Sequence, residues 1–242
     1  MPALKADIIT QLKKEILALQ GFRPLVHAYQ QIVPGTINHS FPHSQFPFGV
    51  NHEFICNSKE SLAASSGFIA GILSSMLQKS GAVVWIRSSQ IIFPPALVSF
   101  GIDPSQLIFI HLRNQKEINW TIEEALKCEG LAAVVGELAN IDLTVSRRLQ
   151  LAAEQSRVTG FLLRHKPKQI NTTAFTCRWQ IQSVQSETTD DLPGIGFPRW
   201  QVELLKVRNG KPGSWQLEWI DGKFQLVTLQ SSLLNQEHKQ AV

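Results

Sequence analysis

Between residues 50 and 165 the chain alternates short, almost continuously apolar runs with longer stretches of helical periodicity. This alternation constrains the fold most, because strands that are apolar on both faces must be covered by helices on both sides. It predicts an α/β fold with a mostly parallel sheet, whose ligands bind at the carboxyl ends of the strands. The predicted strands are 53–56, 82–86, 107–111, 131–135 and 158–163, and the predicted helices are 60–79, 95–100, 114–128 and 143–155.

From residue 174 onwards the apolar residues recur at every second position, which is typical of strands with one buried face. Asn209-Gly210 and Asp221-Gly222 have the composition of tight hairpin turns. The sequence therefore predicts a C-terminal antiparallel extension that continues the same sheet. Its predicted strands are 174–184, 199–208, 214–220 and 223–228.

Residues 4–19 have the spacing of an amphipathic helix, and the Pro-containing segment 21–48 is typical of an extended tether. The helix either lies on its own domain or forms an arm that docks on another chain, and the tether favours the arm. We divide the chain into a helix and linker (1–48), a core (49–228) and a polar, loose tail (229–242). The apolar positions of the helix are candidates for partner contacts: Ile9, Leu12, Ile16 and Leu19.

Charge and composition argue against several classes of site. The net charge of +4 is explained by solubility alone, since a dedicated nucleic-acid binder usually has a denser basic patch. The three cysteines are far apart and are interpreted as buried free thiols in a reducing compartment. His39 and His43 lack nearby Cys or acidic partners for a metal. With no signal peptide and no apolar run of membrane-spanning length, we expect a cytoplasmic protein without membrane contact.

The segment Gly49–Gly71 has the strand, polar loop and apolar helix of a phosphate-binding site, but not its chemistry. Such a site needs glycines to bring backbone N–H groups onto phosphates, a Lys for the outer phosphates and a hydroxyl for magnesium. The loop has no glycine, and its Lys59 is followed by Glu60, whose charge repels phosphate. This segment therefore predicts a protein without nucleotide chemistry.

Catalytic groups are also scarce in the other turns at the ligand edge of the predicted sheet. The turn Arg87–Gln90 contains no carboxylate that could polarise a water molecule. Glu137 is the one carboxylate that could be recruited, and we interpret it as a solvent-facing or helix-dipole group. No nucleophile elbow occurs in the sequence. We therefore expect no enzyme activity, no cofactor and no metal.

Several segments resemble the core of RecA-type ATPases: Gly49–Phe54, Phe100–Ile108, Glu123–Cys128, Ala133–Glu137 and Ser146–Glu154. Over roughly residues 48–220 the chain more closely resembles ImuA-type proteins, which are RecA-like accessory factors of bacterial error-prone DNA repair. The resemblance implies a RecA-like core. It is carried by the helix Arg147–Glu154, by Arg178-Trp179 and Pro198-Arg199-Trp200, and by Arg208-Asn209-Gly210 with Trp215.

The resemblance also implies that the residues of ATP hydrolysis have been lost. Cys56 and Ser61 stand where phosphate-loop glycines would be, Leu62 stands at the catalytic Lys, and Ala63 at the magnesium-binding hydroxyl. Ser89 falls at the water-activating Glu and Gly136 at the metal-binding Asp. Where RecA carries a long DNA-binding loop, this chain has only residues 165–173, so filament-type DNA binding is also in doubt.

The function implied is a catalytically silent scaffold in SOS-type translesion DNA synthesis. Its implied partners are an ImuB-type, Y-family-like protein, an error-prone replicative-type polymerase and, as a further partner, RecA itself. DNA contact would be weak or indirect, and the N-terminal helix offers a route to a homo-oligomer. The alternatives are a SulA-type cell-division inhibitor, against which the length of the chain counts, and a divergent ATPase that uses Glu137 and Lys59.

The arginines among these fingerprints allow more than one interpretation. We interpret Trp179 and Trp200 as core aromatics covered by the neighbouring Arg178 and Arg199, with cation–π stacking as the alternative. Arg147 and Arg148 are candidates for partner or phosphate contacts, although we favour internal pairing with Glu154 and Glu137.

Overall fold

A computed structural model describes residues 32–78, 81–88, 93–186 and 196–227 of the chain. The described residues form a nine-stranded sheet in the order β3-β2-β4-β5-β1-β6-β7-β8-β9. The pairs from β3 through to β6 are parallel, and the pairs from β6 to β9 are antiparallel. Both the parallel sheet and its antiparallel extension are thus confirmed.

The boundaries follow the predicted ones closely, and the largest differences are three residues: β4 runs on to Leu138 instead of ending at 135, and β6 begins at Cys177 instead of at 174. The strands are β1 Asn51–Cys56, β2 Ala82–Arg87, β3 Leu107–His111, β4 Leu131–Leu138, β5 Thr159–His165, β6 Cys177–Val184, β7 Arg199–Val207, β8 Gly213–Ile220 and β9 Lys223–Leu226. The α-helices are α1 Gly35–Asn38, α2 Lys59–Leu77, α3 Gln115–Leu126 and α4 Leu143–Ser156, with 3₁₀ turns at Pro42–Ser44, Pro94–Phe100 and Pro104–Gln106.

Two apolar cores cover the two faces of the sheet. The larger core surrounds α2 and contains aromatic side chains such as Phe68, Trp85 and Trp179. The smaller one lies between the sheet and the pair α3 and α4. Among the described residues α2 alone has the length and composition of a membrane span, which the sequence expectation overlooked. Of its apolar window 72% is buried inside the fold, as for the central helix of a packed core.

The antiparallel extension lays its apolar face on α2 and leaves the other face polar. Trp200, Trp219 and Phe224 are buried on the α2 side, which confirms the alternating pattern of these strands. The turn between β8 and β9 has positive φ at Asp221 (51°) and Gly222 (72°), the backbone of a tight hairpin turn.

The segment before β1 packs onto the core, in contrast to the tether predicted for residues 21–48. In its described part, 32–48, the side chains of Val33, Ile37 and Phe41 are at most 3% exposed and belong to the larger core. The prolines there start short helical turns and do not hold the chain away from the sheet. The predicted helix 4–19, with Ile9, Leu12, Ile16 and Leu19, and the tail 229–242 lie outside the described residues.

Close approach of α2 to the extension makes Gly71 a sensitive position. A Cβ atom at residue 71 would lie 2.8 Å from Trp219 Cζ3 and still closer to the ring of Phe224. We expect Gly71→Ala to lower the free energy of unfolding by about 1–3 kcal/mol, because overpacking outweighs the better helix propensity of alanine.

Urea unfolding of the Gly71→Ala protein measures this loss. Gly35→Ala is the matched control, since a Cβ atom at residue 35 would have nothing within 4 Å. Equal stability of the two variants would contradict the close packing of α2 against β8 and β9.

Candidate functional site at the β1–α2 turn

The turn from β1 into α2 is only two residues long, Asn57 and Ser58. Ser58 caps the helix, because its Oγ accepts a hydrogen bond from the Ser61 N–H at 3.1 Å. In return the Ser58 N–H donates to Ser61 Oγ at 2.9 Å, which completes a capping box. Two backbone N–H groups that could bind a phosphate are therefore already satisfied by serine side chains.

The helix N-terminus also has its own anion in Glu60. A hydrogen bond from the Ser58 hydroxyl, together with the backbone N–H of Glu60 itself, holds the pKa of this carboxyl below its ordinary value. The positive end of the helix dipole favours a negative charge at this position. A phosphate approaching here would meet an ionised carboxylate of the chain itself.

A pocket of about 200 Å³ lies beside the turn, between α2 and the end of β6. Its polar lining comes from neutral side chains such as Gln180 and Gln182, and Glu60 is its one charged lining residue. Such a lining offers a polyphosphate hydrogen bonds but no positive charge. Polyphosphate sites usually surround the ligand with Lys, Arg or a metal ion.

Cys56 ends β1 on the α2 side of the sheet and is fully buried. Burial raises the pKa of its thiol to about 11, and its Sγ lies 3.4 Å from Ser65 Oγ. A thiol with a raised pKa carries little thiolate and is a poor nucleophile. Cys177 is buried and free as well, whereas Cys128 is free but exposed, so the expectation of three buried thiols is wrong for Cys128.

Glu137 is not the solvent-facing group that the sequence suggested. It lies inside β4, is 2% exposed, and its Oε2 accepts a hydrogen bond from the Ser88 N–H at 3.3 Å. Because β4 continues to Leu138, the carboxylate is held within the sheet instead of at a helix end. No group of three His, Cys, Asp or Glu residues that could hold a metal occurs in the described parts of the chain.

The other positions that the resemblance aligns with ATPase residues point in different directions. Leu62 is fully buried in the larger core, whereas Ala63 is exposed. A side chain at Gly136 would point at Ile122 of α3, on the sheet face opposite α2. These residues therefore do not converge on one pocket, and Ser89 lies outside the described residues. Their equivalence to ATPase residues stays a prediction.

The opposite face of β1 carries a buried ion cluster that sequence reasoning missed. Glu53 is fully buried, and its Oε1 accepts from Arg164 Nη1 at 2.7 Å. Its Oε2 accepts from Arg178 Nε at 2.7 Å and from Thr173 Oγ1 at 2.9 Å. The side chains of Arg164 and Arg178 are only 1% and 14% exposed. A signal existed in the sequence, since a charged residue inside a buried strand requires a partner.

This cluster holds residues 166–176, which we call the strap, against the sheet and α4. Arg164 Nη2 donates to Gln169 O at 3.0 Å, and Arg178 Nη2 donates to Asn171 O at 2.7 Å. Asn171 Nδ2 in turn donates to Ile141 O at 2.7 Å, next to the start of α4. The strap occupies the chain position where the resemblance placed a shortened DNA-binding loop.

The predicted roles of the arginines are corrected in part. Trp179 and Trp200 are core residues as predicted, with exposed fractions of 0% and 4%. Neighbouring residues of a strand point to opposite faces, so Arg178 and Arg199 do not cover these rings. Arg178 pairs with Glu53, and Arg199 pairs with Glu218 at 2.8 Å.

The arginines of α4 also differ from the favoured pairing. Arg148 pairs with Glu123 of α3 and not with Glu137. Glu154 is bound by Arg208 at 3.1 Å instead of by an α4 arginine. Both arginines are exposed, but Arg148 is paired, so Arg147 is the candidate that has no ion pair within the described parts of the chain.

Comparison with known proteins adds a sequence relative and a structural one. No family model matches the chain. Protein ImuA, from two strains of Caulobacter vibrioides, is 34% identical over 195 residues, which cover 76% of this chain and 80% of the relative. The crystal structure of the RadB recombinase superposes with a TM-score of 0.52 at 13% identity, covering 76% of this chain and 93% of that chain. The structural likeness shows a shared fold alone.

Proposed function

This chain belongs to the ImuA family, and we propose that it is a non-catalytic RecA-like adaptor in bacterial translesion DNA synthesis. It would act by binding an ImuB-type, Y-family-like protein and an error-prone replicative-type polymerase, with RecA as a further partner. We propose a cytoplasmic location on the same basis. Family membership favours this role over that of a SulA-type division inhibitor.

The capping box at the N-terminus of α2 is the observation that supports the absence of nucleotide chemistry. Ser58 and Ser61 satisfy each other's backbone donors, and Glu60 brings a carboxylate to the place where phosphate binds in nucleotide-binding folds. Phosphoryl transfer depends on positioning and on stabilising negative charge. A turn whose backbone donors are already hydrogen-bonded and whose helix N-terminus carries its own carboxylate offers neither, so we infer that the fold serves through its surfaces.

The roles of the individual segments of the chain are also part of the proposal. We propose that the N-terminal helix, through Ile9, Leu12, Ile16 and Leu19, and the tail after residue 228 contact partners outside the core. Because residues 32–48 pack onto the core, only residues before 32 are available as a linker. A homo-oligomer through the N-terminal helix is the alternative use of the same apolar face.

The proposal predicts that repair works without nucleotide binding. A Lys59→Ala variant should restore damage-induced mutagenesis to a deletion strain within about twofold of the wild-type chain, since Lys59 is exposed on α2 and is not needed for phosphate. Titration of the purified protein with Mg-ATP should show no saturable heat up to about 1 mM ligand, which corresponds to less than about 4 kcal/mol of binding free energy.

A RecA-type ATPase titrated under the same conditions is the positive control. Saturable Mg-ATP binding that Lys59→Ala abolishes would overturn the absence of nucleotide binding and would favour the divergent ATPase instead. The adaptor role itself is tested by copurification of the ImuB-type protein and the polymerase with the tagged chain from DNA-damaged cells. If neither copurifies, the adaptor proposal is wrong even though the family assignment stands.

A further inference from the structure

The sheet has an open section at the point where β1 turns away from β6. The pairing of β1 with β6 ends at Phe54 beside Trp179, whereas β6 stays paired with β7 as far as Val184. β1 leaves the sheet because the chain turns into α2 directly after Cys56. On the side away from β7, residues 181–184 therefore have no strand beside them within the described parts of the chain. We call residues 181–184 the open edge.

The open edge has main-chain groups that the fold does not use. In an antiparallel pair only every second residue bonds to the neighbouring strand, so about half of the N–H and C=O groups of the open edge point away from β7. No backbone hydrogen bond joins them to another segment of the described structure. The four residues, Ile-Gln-Ser-Val, also include no Lys and no Pro, which commonly prevent an edge from pairing. Such an edge is a template for a further strand.

The pocket beside the β1–α2 turn lies along the open edge. Gln180, Gln182 and Ser183 line it from β6, the fully buried Ile55 lines it from β1, and Asn57 lines it from the turn. The side-chain amides of Asn57, Gln180 and Gln182 form no hydrogen bond with any described residue. A carboxamide both donates and accepts, as a peptide group does. The pocket thus combines unused main-chain groups with side chains that match a peptide backbone.

The charge of the lining favours a peptide over a nucleic acid. Glu60 is the only charged lining residue, and no ion pair involves it in the described part of the chain. Lys59 and Lys166 lie near enough to help lower the pKa of this carboxyl, but neither lines the pocket. The carboxylate repels phosphates, whereas a Lys or Arg side chain on a bound peptide complements it.

We propose that the pocket binds an extended peptide of a partner protein, whose main chain pairs with the open edge and whose basic side chain lies beside Glu60. The peptide continues the sheet in the space from which β1 departs. Four residues of a strand span about 13 Å, so a peptide segment of about four to six residues fills the edge. In strand addition of this kind, main-chain bonds give affinity and neighbouring side chains give specificity. The inference goes beyond the adaptor function, because it rests on the pocket alone and holds whichever protein supplies the peptide.

The test selects peptides from a display library of random sequences on the purified full-length chain and measures the Kd of the selected peptide by fluorescence anisotropy. The double variant Gln180→Ala/Gln182→Ala should raise Kd by about 5-fold or more, because two hydrogen bonds to the peptide are lost. Glu60→Gln should raise the Kd of a basic peptide and weaken its dependence on salt. Gln225→Ala is the matched control, since Gln225 is an exposed glutamine of β9 that does not line the pocket, and its Kd should stay within about twofold of wild type.

Main-chain pairing is tested on the peptide itself. Single N-methylations along the selected peptide should raise Kd by about 5-fold or more at every second position, because alternate amides of a strand point to opposite sides. Hydrogen exchange locates the contact on the chain: the amides of the open edge that point away from β7 should exchange quickly in the free chain and slowly in the complex.

Several results would overturn the peptide site and leave the adaptor proposal intact. One is the failure to select any peptide whose binding depends on Gln180 and Gln182. Another is equal tolerance of N-methylation at all positions. Slow exchange of every amide of the open edge in the free chain would mean that the chain itself already covers this edge. Binding of a single-stranded oligonucleotide that the double variant abolishes would replace the peptide with nucleic acid.

Discussion

Replacing Glu53 by glutamine should lower the free energy of unfolding by about 3–5 kcal/mol, since it leaves two buried guanidiniums without their shared carboxylate. Arg164 and Arg178 both donate to Glu53, and their side chains are 1% and 14% exposed, so water cannot replace the lost charge. The loss also frees the strap, whose backbone is held by the same arginines. Chemical denaturation at neutral pH measures the first effect, and faster amide exchange over residues 166–176 reports the second.

Glu154→Gln is the matched control for Glu53→Gln. Glu154 also pairs with an arginine, Arg208, but the two side chains are 38% and 49% exposed. An exposed pair of this kind contributes at most about 1 kcal/mol, because water screens the charges. If the two variants lost equal stability, the carboxylate of Glu53 would not be the centre of a buried cluster.

Acidification should destabilise the fold through His52, by roughly 3 kcal/mol between pH 6.5 and pH 4. His52 is fully buried, and burial lowers the pKa of its ring to about 4, against the opposing effect of its hydrogen bond to the Pro47 carbonyl. The ring is neutral, since Nε2 donates to Pro47 O at 2.7 Å and Nδ1 accepts from Trp179 Nε1 at 3.2 Å. Near pH 6.5 the unfolded chain binds a proton on His52 that the folded chain does not bind. The contribution of the neutral ring to the free energy of unfolding is therefore complete above pH 6.5 and is lost as the pH falls towards 4.

Denaturant unfolding at a series of pH values, with NMR titration of the His52 ring, checks this expectation. The ring signal should titrate near pH 4 in the folded protein. A His52 signal that titrates near pH 6.5 would contradict a buried neutral ring.

The strands and hairpins were predictable because their signals are local. The run from Leu107 to His111 was predicted to the residue, since four consecutive apolar residues, Leu107 to Ile110, follow a proline turn and precede a mostly polar stretch. The hairpin at Asp221-Gly222 has the two positive φ values that this dipeptide tolerates. The order of the parallel strands could be expected only from the RecA-like resemblance, because periodicity does not say which strands pair.

Neither the ion cluster nor the burial of Glu137 could be predicted from local sequence signals. Glu53 and Arg164 are separated by 111 residues, so no local pattern links them. Glu137 looked like a strand end because a carboxylate after an apolar run usually faces water, but here the strand continues and a neighbouring N–H binds it. The prolines of residues 32–48 did not indicate that this segment packs onto the larger core. Burial of a segment depends on the part of the fold that it contacts, which its own sequence does not show. The expected loss of phosphate chemistry rests on residue types within one turn, and it stays a prediction.

The central position of β1 sets the order in which the chain can fold as it is synthesised. β1 pairs with β5 and β6, with Asn51 beside Gly160 and His52 beside Cys177. The strand therefore leaves the ribosome long before either neighbour exists, and the apolar α2 follows it without the extension that later covers it. Sheets that need such distant pairing fold slowly and expose aggregation-prone surface meanwhile. We therefore expect α2 to expose apolar surface until the second half of the chain has been made.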